Sequence, residues 1–594
     1  MHTRIKDIYI GKPDARDEIM DPNSSFFNSF IIPPNFEIDD LIHGDKCFIR
    51  GYKGSGKTAL LLYLNDFIHQ KYPEAVSSFM YFKEYNNIDR NHMDIVTSKY
   101  KNQTEESVVF EKTALLKEQS FVYIWRWILF SRIIEDENNS ANPLFIHDNN
   151  WKEFIQKLNC ITYKKMGDKV SKFPKKLQIS VGFKDLTLSS DLSFSSKSNV
   201  EAYEHFVAII EDASHLFVNL RRTDIPYYLF LDELEAYYSD EIIFKRDLTM
   251  LRDLIFVVKE VNNVFSMWGD SNTKILCSVR NEIINSINRF IPANELNKVT
   301  LGYEKVLTWN YNNNTAYQHP IFQILLKRIE LAESKNNIHL TQDELFKKWF
   351  SEPINGTDSV TVIINHTWNK PRDIVRMLLS AGNSISCNEV AFTTSVFSHL
   401  SAEYSNESLK EIIEELNALY TPVEIDSIMT LFRGYKAIFS LNDLQTRIDE
   451  KFYDTIWNTK RDTILADLYR IGFLGNMEQD TKTFAWQHRG NQGPILSDEW
   501  LFVVHRALRN VLLISTRQDE TKRKSIRAKA GDIVPATVVK IYNKLILVSF
   551  IKGDYKYTGA INNTNGYYYV MDQTLNCKLI EYDVSYKKWI VEIV

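Results

Sequence analysis

Residues 51 to 58 read Gly51-Tyr52-Lys53-Gly54-Ser55-Gly56-Lys57-Thr58 and match the pattern G-x-x-x-x-G-K-[ST] in full. Glycines there let backbone N–H groups converge on phosphate oxygens, and the helix that follows adds the partial positive charge of its N-terminus. Lys53, Gly54, Ser55 and Gly56 would form the cradle, Lys57 would reach the β- and γ-phosphates, and the Thr58 hydroxyl would ligate magnesium. A chance glycine-rich turn is the plainer reading. Against it, the chain has only 20 glycines in 594 residues, and three of them stand within six positions before Lys-Thr. The flanks agree as well: Cys47 to Arg50 reads as a short strand, and Ala59 to Leu64 opens a helix. The expected ligands are ATP and Mg2+.

A second acidic element belongs with such a cradle. Pro226 to Leu231 is an apolar run that ends in Asp232-Glu233. Asp232 would hold magnesium through its water shell, and Glu233 would orient and deprotonate an attacking water. Lys274 to Val279 is another buried-strand pattern, ending in Arg280-Asn281. Ser278 and Asn281 are candidates for the polar position near the γ-phosphate. Arg280 would sense phosphate or act as an arginine finger across a subunit boundary, with a plain surface charge as the alternative. In Trp368-Asn-Lys-Pro-Arg372, the arginine falls in the first turn of a helix, well placed to reach back to a nucleotide. The same pattern also suits a helix that simply starts with proline.

Positioning these groups requires alternating strands and helices, hence a parallel sheet covered on both faces. We expect a P-loop core over 1–310, with Val299 to Trp309 as its last strand and an insertion over about 85–200. Within the insertion, Glu111 to Glu137 reads as a helix and Leu177 to Phe194 as a hairpin. A helical lid follows over 311–405. Four helices and a short hairpin over 406–515 have the outline of a winged helix, and 516–530 is a basic linker. Five short strands over 531–594 have the count of a small OB-type β-barrel. The fold class is thus α/β with an appended barrel.

Apolar residues make up 44% of the chain and the net charge is -5, so no global basic excess points to nucleic acid. The five cysteines are scattered and show no C-x-x-C pairing, which favours neither a disulfide framework nor a zinc site. The start lacks the apolar core of a signal peptide, and the most apolar helical stretch, Phe121 to Phe130, is too short for a bilayer and contains Arg126. We expect a soluble cytoplasmic protein with no membrane partner.

The order of P-loop, LFLDE, SVR and KPRD, followed by a winged-helix unit, resembles the AAA+-like branch of P-loop ATPases, which includes origin-recognition and STAND ATPases. GKPDARDE near the start, GYKGSGKTAL, WNKPRDIVRML and VHRALRNVL resemble the bacterial P-loop ATPases of anti-phage defence loci. The resemblance covers roughly residues 8–513. It implies a sensor 2 role for Arg372 and a sensor 1 role for Ser278 or Asn281. The tail from Gly531 is similar to the OB-fold RNA-binding domain repeated in the largest ribosomal small-subunit protein. That likeness makes Lys540, Lys544, Tyr555, Lys556 and Tyr557 candidates for binding a single strand. The expected function is an ATP-hydrolysing switch in a defence system, acting as a homo-oligomer and with a separate effector, such as a nuclease, encoded nearby. Two alternatives stand beside it: a nucleic-acid-binding protein of replication, repair or RNA metabolism with ATP as a structural ligand, and a scaffold that recruits an effector.

Overall fold

The computed structural model describes all residues except 1–2, 34–35, 82–120, 160, 164–185, 189–198, 235–240, 270–271, 292–295, 310–317, 351–352, 355–357, 383–388, 394–395, 397–400, 492, 515–527, 543, 553–554, 564–567, 584–585 and 587. The chain divides into two compact units. The first is Met1–Leu431 with Ser440–Val511, and the second is Phe432–Phe439 with Leu512–Val594.

A five-stranded sheet organises the first unit. Its strands are β1 (Phe48–Gly51), β2 (Val76–Tyr81), β3 (Tyr227–Asp232), β4 (Thr273–Arg280) and β5 (Glu304–Val306), in the order β2-β3-β4-β1-β5. Every pairing is parallel. Strands of such a sheet are covered on both faces, so they read as continuous apolar runs rather than alternating ones. Accordingly, β3 is buried at all six positions and β4 at all but Arg280. The pleat sends Tyr228 and Phe230 to one face, against Leu60, Leu61, Leu64 and Ile68 of the Lys57–Lys71 helix. Tyr227, Leu229 and Leu231 go to the other, against the Val122–Asn139 and Glu241–Met267 helices. Register fixes which strand ends meet: Gly51 lies beside Arg280, and Tyr81 beside Asp232.

The last core strand is shorter than the 299–309 expected, because Leu296–Thr300 is helical and only Glu304–Val306 pairs with β1. In the insertion, the described part of the expected long helix is Val122–Asn139. Of the expected 177–194 hairpin, only Leu186–Leu188 is described, and it pairs with Ile161–Tyr163.

Beyond the sheet come helices Pro320–Lys335, Gln342–Phe350, Ser359–His366 and Pro371–Gly382, then Ser401–Leu416, Leu441–Lys451 and Ile456–Arg470. Ser440 and Asp443 form a reciprocal capping box at the start of Leu441–Lys451. The Ile456–Arg470 helix has a break in helical geometry at Lys460. Leu474–Glu478 then pairs antiparallel with Phe484–Ala485 and with Trp500–Val504. The hairpin was legible in sequence; the third strand was not.

The second unit holds a closed five-stranded barrel built from Ile533–Ile541, Leu545–Lys552, Tyr555–Asn562, Thr574–Asp583 and Lys588–Ile593. Tyr555–Asn562 and Lys588–Ile593 close it through a parallel pairing. Alternate residues fill the interior, among them Val534, Ala536, Val538, Ile546, Val548, Phe550, Leu579 and Val591. Register shifts at Val538/Lys540 and Leu579/Glu581 bend the strands. Gly559 makes room for Val548, whose Cγ2 would lie 2.9 Å from a Cβ placed there.

Candidate functional site

β1 ends at Gly51, and the chain turns through Gly54 (φ 79°) and Gly56 (φ 93°) before the helix starts at Lys57. Both glycines occupy the left-handed region that side chains resist. The space is limited too. A Cβ on Gly54 would meet Arg372 Cβ at 3.4 Å, and one on Gly51 would meet Ser55 Oγ at 2.6 Å. Trp309 donates its indole N–H to the Ser55 carbonyl at 2.8 Å and braces the loop from below.

Lys57 is buried and donates to the carbonyls of Gly51 (3.0 Å) and Tyr52 (2.9 Å). Burial, reinforced by the nearby Arg280 charge, pulls its pKa from 10.5 down to about 7. The Thr58 hydroxyl donates to Asp232 Oδ2 at 2.6 Å, and the Ser278 hydroxyl donates to Asp232 Oδ1. Thus the ends of β1, β3 and β4 bring Lys57, Thr58, Asp232 and Ser278 together at the carboxyl edge of a parallel sheet. That edge is where ligands of open α/β sheets bind. Among the described residues no cluster of three or more His, Cys, Asp or Glu suits a metal. Thr58 and Asp232 instead offer a hard, oxygen-only pair, the donor set with which Mg2+ is held when phosphates and water complete its shell.

Glu233 leaves β3 with φ 62°, a left-handed backbone for a non-glycine residue. Arg16 Nη2 donates to its Oε1 at 2.7 Å. The cleft over this edge has a volume of 830 Å³. Lys53, Gly54, Gly56, Lys57, Thr58, Asp232, Glu233, Ser278, Arg280 and Arg372 all line it. Asn281 does not. It accepts from Arg50 Nε at 2.7 Å, and Arg50 in turn pairs with Glu304 at 3.1 Å, which ties β1 to β5. Arg289, in the helix that follows, is held by Asp467 at 2.8 Å.

The Pro371–Gly382 helix rests its first turn on the Gly51–Thr58 loop. Pro371 Cγ would lie 3.7 Å from a Cβ on Gly56, and Lys370 Cδ 3.5 Å from one on Gly54. Arg372 points into the cleft but pairs with Glu411 at 3.3 Å and donates to the Pro13 carbonyl at 3.1 Å. Its neighbours are similarly engaged. Lys370 pairs with Glu415 at 3.1 Å, Arg376 with Glu407 at 3.2 Å and with Glu411, and Lys53 with Glu414. Burial pushes Glu415 up. For Glu411 burial acts the same way, but Lys370, Arg376 and Arg372 outweigh it and bring its carboxyl down to about 2. Behind the turn, Trp368 donates to the Gly472 carbonyl at 2.8 Å and stacks on His505 at 3.9 Å. His488 and His505 are packed with Trp486 in the same cluster, and burial pulls both well below the usual histidine range.

Several participants escaped the sequence reading. Glu282 accepts from the Lys53 N–H at 3.2 Å. Trp309 and Arg16 approach from elements distant in sequence. The acidic row did leave a trace: Glu407, Glu411 and Glu415 recur at four-residue spacing, one face of a helix whose like charges require cations opposite. In the barrel unit, Lys540, Lys544 and Lys556 are exposed, whereas Tyr557 is half-buried and stacks on Phe550 at 5.4 Å. The Tyr555 side chain lies outside the described residues.

Comparison with protein-family models finds no match, and no curated protein matches the chain.

Proposed function

We propose that this chain binds Mg2+-ATP at Gly51–Thr58 and hydrolyses it, using the bond energy to switch the contact between the phosphate loop and the Pro371–Gly382 helix. One observation carries the reading: Lys57, Thr58, Asp232 and Ser278, drawn from three separate strand ends, converge in a single cleft with Glu233 beside them. Bound magnesium would be held by Thr58 and Asp232 and would neutralise phosphate charge. Lys57 and the loop N–H groups bind and orient the phosphates, Glu233 takes the proton of the attacking water, and Arg280 and Arg372 stabilise charge on the γ-phosphate. Since Arg372 shares Glu411 with Arg376, a phosphate that draws Arg372 away loosens the Ser401–Leu416 helix, linking the nucleotide to the helices beyond the sheet.

On the motif resemblance we assign the switch to a cytoplasmic anti-phage defence ATPase, assembled as a homo-oligomer and acting with a separate effector such as a nuclease. Among the described residues, no helix is long and apolar enough to cross a membrane. Retention of ATP tests the hydrolytic assignment. Glu233→Gln should hold ATP through a desalting column while the wild-type chain releases ADP; equal product release from both would remove Glu233 as base.

A second reading has its own observation. The barrel exposes Tyr542, Tyr568, Tyr582 and Tyr586 together with Lys540 and Lys544, a composition suited to stacking and backbone contact with a single strand in an OB-type fold. Salt-dependent binding of single-stranded RNA or DNA, unaltered by Lys57→Ala, would favour it.

A further inference from the structure

The N-terminal Gly11–Glu18 stretch (GKPDARDE) lies along the same cleft, and its residues are anchored beside the strand ends. Gly11, at φ 102°, packs against the Arg328 guanidinium. Asp14 caps the Ala15–Ile19 helix by accepting from the Arg16 N–H at 2.9 Å. Glu18 is buried and pairs with Arg328 at 2.7 Å. Pro13 offers its carbonyl to Arg372.

The stretch thereby fixes the direction of one side chain, Arg16. Its guanidinium lies over the Tyr81 ring at 4.4 Å and donates to Glu233 Oε1 at 2.7 Å. Tyr81 ends β2 directly beside Asp232, so the arginine is wedged against the acidic strand end itself. Glu233 needs such a hold. A left-handed backbone at a non-glycine residue persists only where its surroundings enforce it.

Resting on the ATPase reading, we propose that Arg16 is the positioning residue for Glu233: it fixes the carboxylate that receives the proton of the attacking water. It is thus an N-terminal contribution to a site otherwise assembled from strand ends and the lid. A rigid guanidinium fork orients a carboxylate as a flexible ammonium cannot, so lysine should substitute only in part.

Steady-state hydrolysis by the full chain, Arg16→Ala, Arg16→Lys, Glu233→Gln and the Arg16→Ala/Glu233→Gln double variant tests this. Arg16→Ala should lower kcat about tenfold with KM for ATP within about twofold, the signature of an interaction used in the chemical step. Arg16→Lys should recover part of the loss. In the Glu233→Gln background, adding Arg16→Ala should change the residual rate by less than about twofold, because its effect passes through the missing carboxylate. Multiplicative losses in the double variant, an unchanged or raised kcat in Arg16→Ala, or a fall in its thermal midpoint that accounts for the lost rate would each overturn the proposal. Absence of turnover in the wild-type chain removes the ATPase reading and this inference with it. Turnover that Glu233→Gln abolishes but Arg16→Ala spares overturns the inference alone.

Discussion

Binding of a polyphosphate at the Gly51–Thr58 loop should draw a proton onto Lys57. The lysine is enclosed by protein, and burial together with Arg280 brings its pKa from 10.5 to about 7. That drop corresponds to roughly 5 kcal/mol between the two protonation states. A triphosphate supplies several negative charges beside the amine and favours the charged form, returning the pKa toward the ordinary lysine range. The protein alone then carries about half a proton on this amine at pH 7 and about a tenth at pH 8, and the complex carries close to one at either pH. Uptake should therefore be about 0.5 proton at pH 7 and rise to about 0.9 at pH 8. Titration calorimetry at pH 8 in buffers of different ionisation enthalpy reads this number as the slope of observed heat against buffer enthalpy. Lys57→Arg serves as the control: guanidinium stays charged throughout, so uptake should vanish while some affinity remains. No uptake by the wild-type chain at pH 8, or equal uptake by Lys57→Arg, would refute the reasoning.

Lys370→Met should cost about 3–5 kcal/mol in denaturant unfolding, since it leaves Glu415 buried without the cation it pairs with at 3.1 Å; a loss under about 1 kcal/mol would contradict that account. Gly54→Ala forces a side chain into the left-handed region against Arg372 and should abolish nucleotide binding while lowering stability by only about 1–2 kcal/mol, as measured by equilibrium dialysis and thermal unfolding. Trp368→Ala removes a buried indole that donates to Gly472 and stacks on His505. It should cost about 3–5 kcal/mol and raise KM for ATP, because the turn carrying Arg372 loses its support; unaltered KM would separate the indole from the site.

How much of this was legible depended on how far each contact reaches along the chain. The Gly51–Thr58 loop is local, eight consecutive residues whose types state their own geometry, and so is the apolar run into Asp232-Glu233. The barrel strands were visible because alternation survives in each one. Glu282, Trp309 and Arg16 could not be placed. Each reaches the site only after β4, β5 or the N-terminal stretch has been brought to the sheet edge, and even for Arg16, inside the GKPDARDE motif, the local pattern does not name its partner. Asn281 illustrates the reverse. It sits one residue after a strand end that does line the cleft, but the turn into the Asn281–Phe290 helix aims it at Arg50 instead. The Trp500–Val504 strand escaped because its continuous apolar run shows no alternation of period two.

ATP turnover by the purified full chain, set against Lys57→Ala, is the most direct measurement of the central claim, with single-stranded DNA, RNA and duplex each added in turn. The account predicts magnesium-dependent hydrolysis by the wild-type chain that falls at least about a hundredfold in Lys57→Ala, with stimulation by one nucleic acid identifying the ligand of the barrel. Turnover that survives Lys57→Ala, or a wild-type chain that neither binds nor hydrolyses ATP, would contradict it.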